Sequence, residues 1–110
     1  MSSNKFTITL SATADRETMT LVPSPYIRGD ALVTCTGRRG RDLCRAMSGT
    51  PSGRTGDAFH LTARRAEKCH ALFSAGFSAV LEGVSDWRYK VKDGPPVLLS
   101  EALRTAEVMV

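Results

Sequence analysis

Arginine is the residue type with the clearest chemical potential in this sequence, since eleven of its fifteen basic side chains are arginines. A guanidinium group can bind a phosphate or a carboxylate through two hydrogen bonds at once. Segment 28–68 has a net charge of +5, while segments 1–27 and 69–110 carry 0 and −1. This uneven distribution indicates a surface for an acidic or polyanionic partner. The candidate contact residues in the basic segment are Arg38, Arg39, Arg41, Arg54, Arg64, Arg65 and Lys68.

Two Gly-x-x-Gly units lie within the basic segment, at residues 37–40 and 53–56. Glycine lets backbone N–H groups approach a phosphate closely, and each unit precedes a predicted helix, whose N-terminus favours an anion. A loop of this type clamps the nucleic-acid backbone in KH modules, where it joins two helices. The residues before Gly37 are strand-like, so the match to that module is poor. The simpler prediction is that the glycines shape turns.

A second basic row is predicted in the strand over residues 87–92, where apolar and basic residues alternate. The basic residues should lie on one face of the strand, and the aromatic residues on the other. Because the aromatic rings do not alternate with the charges on one face, the pattern is not that of a base-stacking platform. A solvated basic face over a buried aromatic face is the simpler interpretation. The candidate contact residues here are Trp87, Arg88, Tyr89 and Lys90.

The cysteines and histidines are the remaining side chains with potential chemistry. Cys35, Cys44 and Cys69 are odd in number and lack the close pairing of structural zinc sites. A cysteine nucleophile beside His60 is conceivable, but burial as small apolar side chains explains the cysteines better. Nucleotide-binding loops, nucleophile elbows and metalloprotease motifs are absent from the sequence. We therefore expect a non-enzymatic protein without cofactor or metal.

Alternating apolar residues predict that the first half of the chain is mainly β-structure. A β-hairpin is predicted over residues 5–22, followed by a third strand over residues 31–36. Residues 41–47 have helical spacing. Segment 48–57 is rich in serine, glycine and threonine, and we expect it to be a mobile loop.

The second half of the chain predicts two helices around a pair of strands. Asp57 is a good N-cap, and the apolar spacing behind it predicts a helix over residues 58–75. Strands are predicted over residues 77–82 and 87–92, although the apolar run in the first also fits a helix. Apolar residues at helical spacing predict an amphipathic helix over residues 99–110.

The predicted element order is β-β-β-α-α-β-β-α, within a single domain of residues 1–110. Strands that precede helices and are joined by hairpins favour an α+β fold. We expect an antiparallel sheet of about five strands, with the helices packed on one face. The sequence has no apolar signal-peptide region and no apolar run of membrane-spanning length, which predicts a cytoplasmic protein.

Two functions are compatible with this size, charge and lack of motifs. The first is a protein–protein inhibitor or adaptor, of the kind found in phages and mobile elements, that docks on a larger acidic or nucleic-acid-handling complex. Tyr26, Trp87 and Tyr89 would join the arginines as its contact residues. The second is direct binding to a nucleic-acid phosphate backbone, with affinity that falls steeply with salt. The apolar face of helix 99–110 also predicts a homodimer.

Overall fold

The protein has an α+β fold, as the sequence predicts. The computed structural model describes residues 10–14, 16–53 and 56–109. Strands β1 to β5 form one antiparallel sheet in the order β1-β2-β3-β5-β4, and β6 and β7 form a separate antiparallel pair. The elements are β1 (Leu10–Ala14), β2 (Glu17–Pro23), β3 (Asp30–Cys35), α1 (Arg38–Ala46), β4 (Thr50–Pro51), β5 (Ala58–Thr62), α2 (Ala63–Ser74), β6 (Phe77–Leu81), β7 (Trp87–Val91) and α3 (Leu99–Met109).

The predicted N-terminal hairpin is present as β1 and β2. Its register pairs Leu10 with Leu21, and Ala14 with Glu17. Arg16 lies in the tight turn between the strands and has a φ of 65°. Residues 5–9, which the sequence assigns to the first strand, lie outside the described residues.

One face of the five-stranded sheet forms the core. Every second residue of a strand points to this face. The register places these inward-pointing residues of β2, β3 and β5 beside one another. Helices α1 and α2 cover it with their own apolar side chains. The buried strand residues on this face are Met19, Leu21, Ala31, Val33, Cys35, Phe59 and Leu61.

The predicted helix over residues 58–75 is wrong in its first five residues. Residues 58–62 form strand β5, which lies between β3 and β4, and α2 begins only at Ala63. Phe59 and Leu61 suit a strand because they alternate with less buried neighbours. The N-cap is Thr62, whose side-chain oxygen accepts a 3.3 Å hydrogen bond from the N–H of Arg65, and not the predicted Asp57.

Segment 48–57, which the sequence predicts to be a loop, contains a short strand. Residues Thr50–Pro51 form β4 and pair with His60 and Phe59 at the edge of the sheet. Gly53 and Gly56, on the way back to β5, have φ values of 80° and 75°, which glycine adopts at little cost. The two glycines of the second Gly-x-x-Gly unit thus have backbone conformations that are typical of turns.

The last three elements form a smaller layer beside the main sheet. β6 lies next to α1 and α2, and α3 packs on α2 and β7. The sequence predicts that β6 and β7 belong to one sheet of about five strands. In the structure the fourth and fifth strands of that sheet are β4 and β5, and β6 and β7 form a separate pair. Ala102 and Ala106 of α3 are buried in the protein's own core. The homodimer through residues 99–110 stays a prediction, with fewer apolar side chains left to form it.

Candidate binding surface on helix α2

Helix α2 separates an apolar side from a basic side. Its apolar side chains, among them Ala66, Cys69 and Phe73, are buried against the sheet. On the other side Arg64 and Arg65 are exposed and Lys68 is half-buried. We call Arg64, Arg65 and Lys68 the basic ridge. All three are predicted contact residues, and the helix brings them together.

The three cations of the basic ridge surround one acidic residue, Glu67, which lines a groove together with Arg64 and Lys68. The salt bridges found within the described residues do not involve Arg64, Arg65 or Lys68. The first turn of α2 also lacks an acidic residue. Because the N-terminus of a helix carries a partial positive charge, the ridge adds three cations to an already positive region.

Two grooves with partly apolar linings border the ridge. The first, of about 410 Å³, lies between α2 and α3, where Ala71 and Leu103 line it together with Glu67 and two ridge cations. The second, of about 290 Å³, lies where the end of α1 meets α2 and α3. Arg65 and Lys68 line it beside Met47 and Leu99. The ridge therefore combines cationic and apolar contacts.

A third groove extends from Arg65 towards the β2–β3 loop. It measures about 230 Å³, and its lining includes Ile27, Asp30 and His60. The ring of Tyr26 meets the imidazole of His60 edge-on, with 5.8 Å between the ring centroids. Tyr26 is 76% exposed, so this predicted contact residue is accessible near the ridge.

Arg39, a predicted contact residue, is instead part of the structure's interior framework. Its guanidinium donates to the carbonyl oxygen of Phe77 at 2.5 Å and to that of Phe73 at 3.0 Å. It also lies 4.0 Å from the centroid of the Phe73 ring. These contacts join α1 to the end of α2 and the start of β6. A guanidinium held in this way is not available to a partner.

The other predicted contact residues of α1, Arg38 and Arg41, lie on a different helix from the ridge. Arg38 is exposed and pairs with Asp42, with 3.6 Å between Nε and Oδ2. Arg41 is half-buried on the same helix. Arg54 lies outside the described residues. Among the predicted contact residues of the basic segment that the structure describes, Arg64, Arg65 and Lys68 are the ones that share one helix face.

The first Gly-x-x-Gly unit serves helix packing. Gly37 is the N-cap of α1, and Gly40 lies inside the helix, where it is buried. A Cβ atom at Gly40 would lie 3.0 Å from Sγ and 3.1 Å from Cβ of Cys35. Glycine therefore lets α1 approach β3 closely. A phosphate-binding loop is not formed at these residues.

Strand β7 only partly matches its predicted contact role. Tyr89 is 3% exposed and packs in the core, so little of its side chain is accessible to a partner in this structure. Trp87 and Lys90 are half-buried. Arg88 forms a salt bridge with Asp86 at the start of the strand. The alternation itself is confirmed at Tyr89, whose neighbours are both more exposed.

The three cysteines are buried, as the sequence predicts. Cys44 contacts both others, with Sγ–Sγ distances of 3.7 Å to Cys35 and 3.9 Å to Cys69. The hydrogen bond with Cys44, together with burial, raises the pKa of the Cys35 thiol. The contact with Cys35 lowers the pKa of Cys44, but the contact with Cys69 and burial outweigh it, so that pKa is raised too.

We expect the native protein to be inert towards a thiol reagent such as DTNB at mildly alkaline pH. The thiolate is the reactive species. Burial shields all three thiols, and a raised pKa also keeps Cys35 and Cys44 protonated. Denaturant should make all three thiols react. Absorbance of the released thiolate measures both states, and rapid modification of any cysteine in the folded protein would contradict this arrangement.

Comparison with protein-family models, with curated proteins and with solved structures found no match for this chain. Its class is therefore stated from its own fold: an α+β protein with a basic ridge on α2. None of the helices in the described ranges is long and apolar enough to cross a membrane.

The sequence did not predict the apolar part of this surface. The apolar spacing of residues 99–110 predicts an amphipathic helix, but it does not indicate that Leu99 and Leu103 line the grooves beside the ridge. Leu98, next to them, is 56% exposed. No local pattern signals this placement, because it depends on how α3 crosses α2.

Proposed function

We propose that this protein is a non-enzymatic inhibitor or adaptor that docks on an acidic partner protein through the basic ridge. The observation that carries the proposal is the position of three cations without salt bridges among the described residues, beside grooves lined by apolar side chains. A protein interface typically has this make-up, with an apolar centre and a polar rim. An acidic partner segment with apolar residues would satisfy both parts.

The apolar linings favour a protein over a nucleic acid as the partner. A phosphate backbone is neutralised by cations alone, and it gains nothing from Leu99, Leu103 or Met47. A partner protein can bury apolar side chains against these residues while its carboxylates pair with the ridge. Binding to a nucleic-acid backbone is the alternative, supported by the same cations and the positive end of α2.

The experiment compares two charge-reversal variants with the wild type. The first, Arg64→Glu with Arg65→Glu and Lys68→Glu, removes the ridge. The second, Arg16→Glu with Arg28→Glu and Lys92→Glu, reverses three exposed cations elsewhere. Because both variants have the same net charge, a general charge effect would weaken binding in both. Circular dichroism establishes that each variant folds.

Each tagged protein is used to capture partners from host-cell lysate, with and without nuclease, and the bound material is washed at rising salt. We expect wild type and the control variant to retain a discrete protein band after nuclease treatment. The ridge variant should lose it, since three charge contacts of about 1 kcal/mol each amount to more than a hundredfold in affinity. Nucleic acid as the sole captured material, released by moderate salt, would replace the proposal by the alternative.

A further inference from the structure

The outer edge of β6, the one turned away from β7, has main-chain groups whose direction follows from the strand register. Ala79 of β6 pairs with Tyr89 of β7. Both the N–H and the C=O of Tyr89 bond to Val97, on the far side of β7. In an antiparallel pair, residues opposite each other either exchange both hydrogen bonds or none. The N–H and C=O of Ala79 therefore point away from β7.

The same rule applies at every second residue of β6. Phe77 and Leu81 share the direction of Ala79, while Ser78 and Val80 bond to β7. The carbonyl of Phe77 accepts from Arg39 of α1, which agrees with its outward direction. For Ala79 and Leu81, the structure shows no main-chain hydrogen bond on this side among the described residues. The edge thus has two outward-facing residues, Ala79 and Leu81, whose main-chain N–H and C=O groups have no main-chain partner among the described residues.

An open groove of about 570 Å³ runs along this edge. Residues 78–81 form one wall of the groove, and Arg38 and Asp42 of α1 form part of the other. A groove between a strand edge and a helix has the shape that takes an extended peptide in strand-addition complexes. The main-chain groups of such a peptide can bond to Ala79 and Leu81.

The side chains around the groove indicate what the peptide should carry. Leu81 is 49% exposed, and its cross-strand partner Trp87 is half-buried and also lines the groove. Asp42 pairs with Arg38 of the groove at 3.6 Å and with Arg45 outside it at 3.3 Å, so Arg38, which is 87% exposed, is only partly neutralised. An apolar side chain fits against Leu81 and Trp87, and an acidic one fits near Arg38.

We propose that the outer edge of β6 binds an extended segment of a partner protein, which adds a strand to the β6–β7 pair. The bound segment hydrogen-bonds to the main chain of Ala79 and Leu81, places an apolar side chain on Leu81 and Trp87, and places an acidic side chain near Arg38. This edge is separate from the basic ridge, so its occupancy does not depend on what the ridge binds.

Amide hydrogen exchange of the free protein is the first part of the test. The amides of Ser78 and Val80, which bond to β7, should exchange more slowly than the amide of Leu81. Equal protection of all three would mean that the edge is already paired and would overturn the proposal. Protection of Leu81 that rises with protein concentration would assign the edge to a second copy of this chain and would overturn it as well.

The second part uses a display library of short random peptides as the probe. Peptides enriched on the wild type should slow the exchange of the Ala79 and Leu81 amides when bound. The variant Leu81→Pro removes an N–H that does not bond to β7, so the strand pair is retained. It should weaken binding by about tenfold, the effect of one main-chain hydrogen bond at the strong end of its range.

The variant Leu81→Ala is the matched control, because it removes the apolar side chain and keeps the N–H. It should retain the slowed exchange of the Ala79 amide on peptide binding, with a weaker affinity than wild type. Failure to enrich any peptide would overturn the proposal, as would enriched peptides that leave both edge amides unchanged. The ridge variant should bind these peptides normally, which separates this result from a failure of the ridge proposal.

Discussion

Replacement of Arg39 by alanine is expected to lower the free energy of unfolding by about 3 kcal/mol. The change removes a charged hydrogen-bond donor, a cation–π contact with Phe73, and a cation at the C-terminal end of α2. The carbonyl of Phe77 would lose its donor, and the ring of Phe73 would lose the guanidinium stacked on it. Equilibrium unfolding in urea measures the change. The loss is a large part of the 5–15 kcal/mol typical of a small domain.

The neighbouring residue provides the matched control for this prediction. Arg38 is exposed and forms only a surface pair with Asp42, so Arg38→Ala should cost less than about 1 kcal/mol. Arg39→Lys should recover only part of the loss, since an ammonium group lacks the planar fork that reaches two carbonyls. Equal effects of Arg38→Ala and Arg39→Ala would contradict the interior role of Arg39.

Replacement of Phe59 by alanine is expected to cost about 3–5 kcal/mol, the usual range for a buried phenylalanine. Phe59 is 1% exposed on β5, an inner strand of the sheet, and the guanidinium of Arg45 lies 5.9 Å from its ring centroid. The deletion would leave a cavity between the sheet and the helices. Urea unfolding again gives the magnitude.

Thr34→Ala is the control for Phe59, because Thr34 is exposed on the neighbouring strand β3 and pairs with Ala58. A surface change of this kind should stay within about 0.5 kcal/mol. If Phe59→Ala were no more costly than Thr34→Ala, the ring would not be buried, and the assignment of residues 58–62 to the sheet would be wrong.

Arg39 and Phe59 also mark two places where local sequence patterns were insufficient. Phe59 continues the helical spacing of the apolar residues in α2, and it also alternates with its immediate neighbours as in a strand. The choice between the two depends on the space between β3 and β4, which β5 fills. A helix there would leave the main-chain groups along one edge of β3 without hydrogen-bond partners. No window of local sequence contains that information.

Where one pattern dominated, the local prediction was confirmed. β2 alternates cleanly, and Met19 and Leu21 are fully buried on one face. Tyr89 is buried between two more exposed neighbours in β7. Helix α3 buries Ala102 and Ala106, as its helical spacing predicts. In each of these elements one face is buried, and the spacing of its apolar residues in the sequence fits either a strand or a helix, but not both.

The sequence by itself determined the α+β class, the burial of the cysteines and the concentration of positive charge in segment 28–68. Tertiary structure decided which of those charges are available. Arg38 and Arg39 are adjacent and chemically identical, but successive residues on a helix point about 100° apart. Arg39 meets two carbonyls that are 34 and 38 residues away in the chain, while Arg38 faces solvent. Contacts over such sequence separations exist only once the helices and strands have packed.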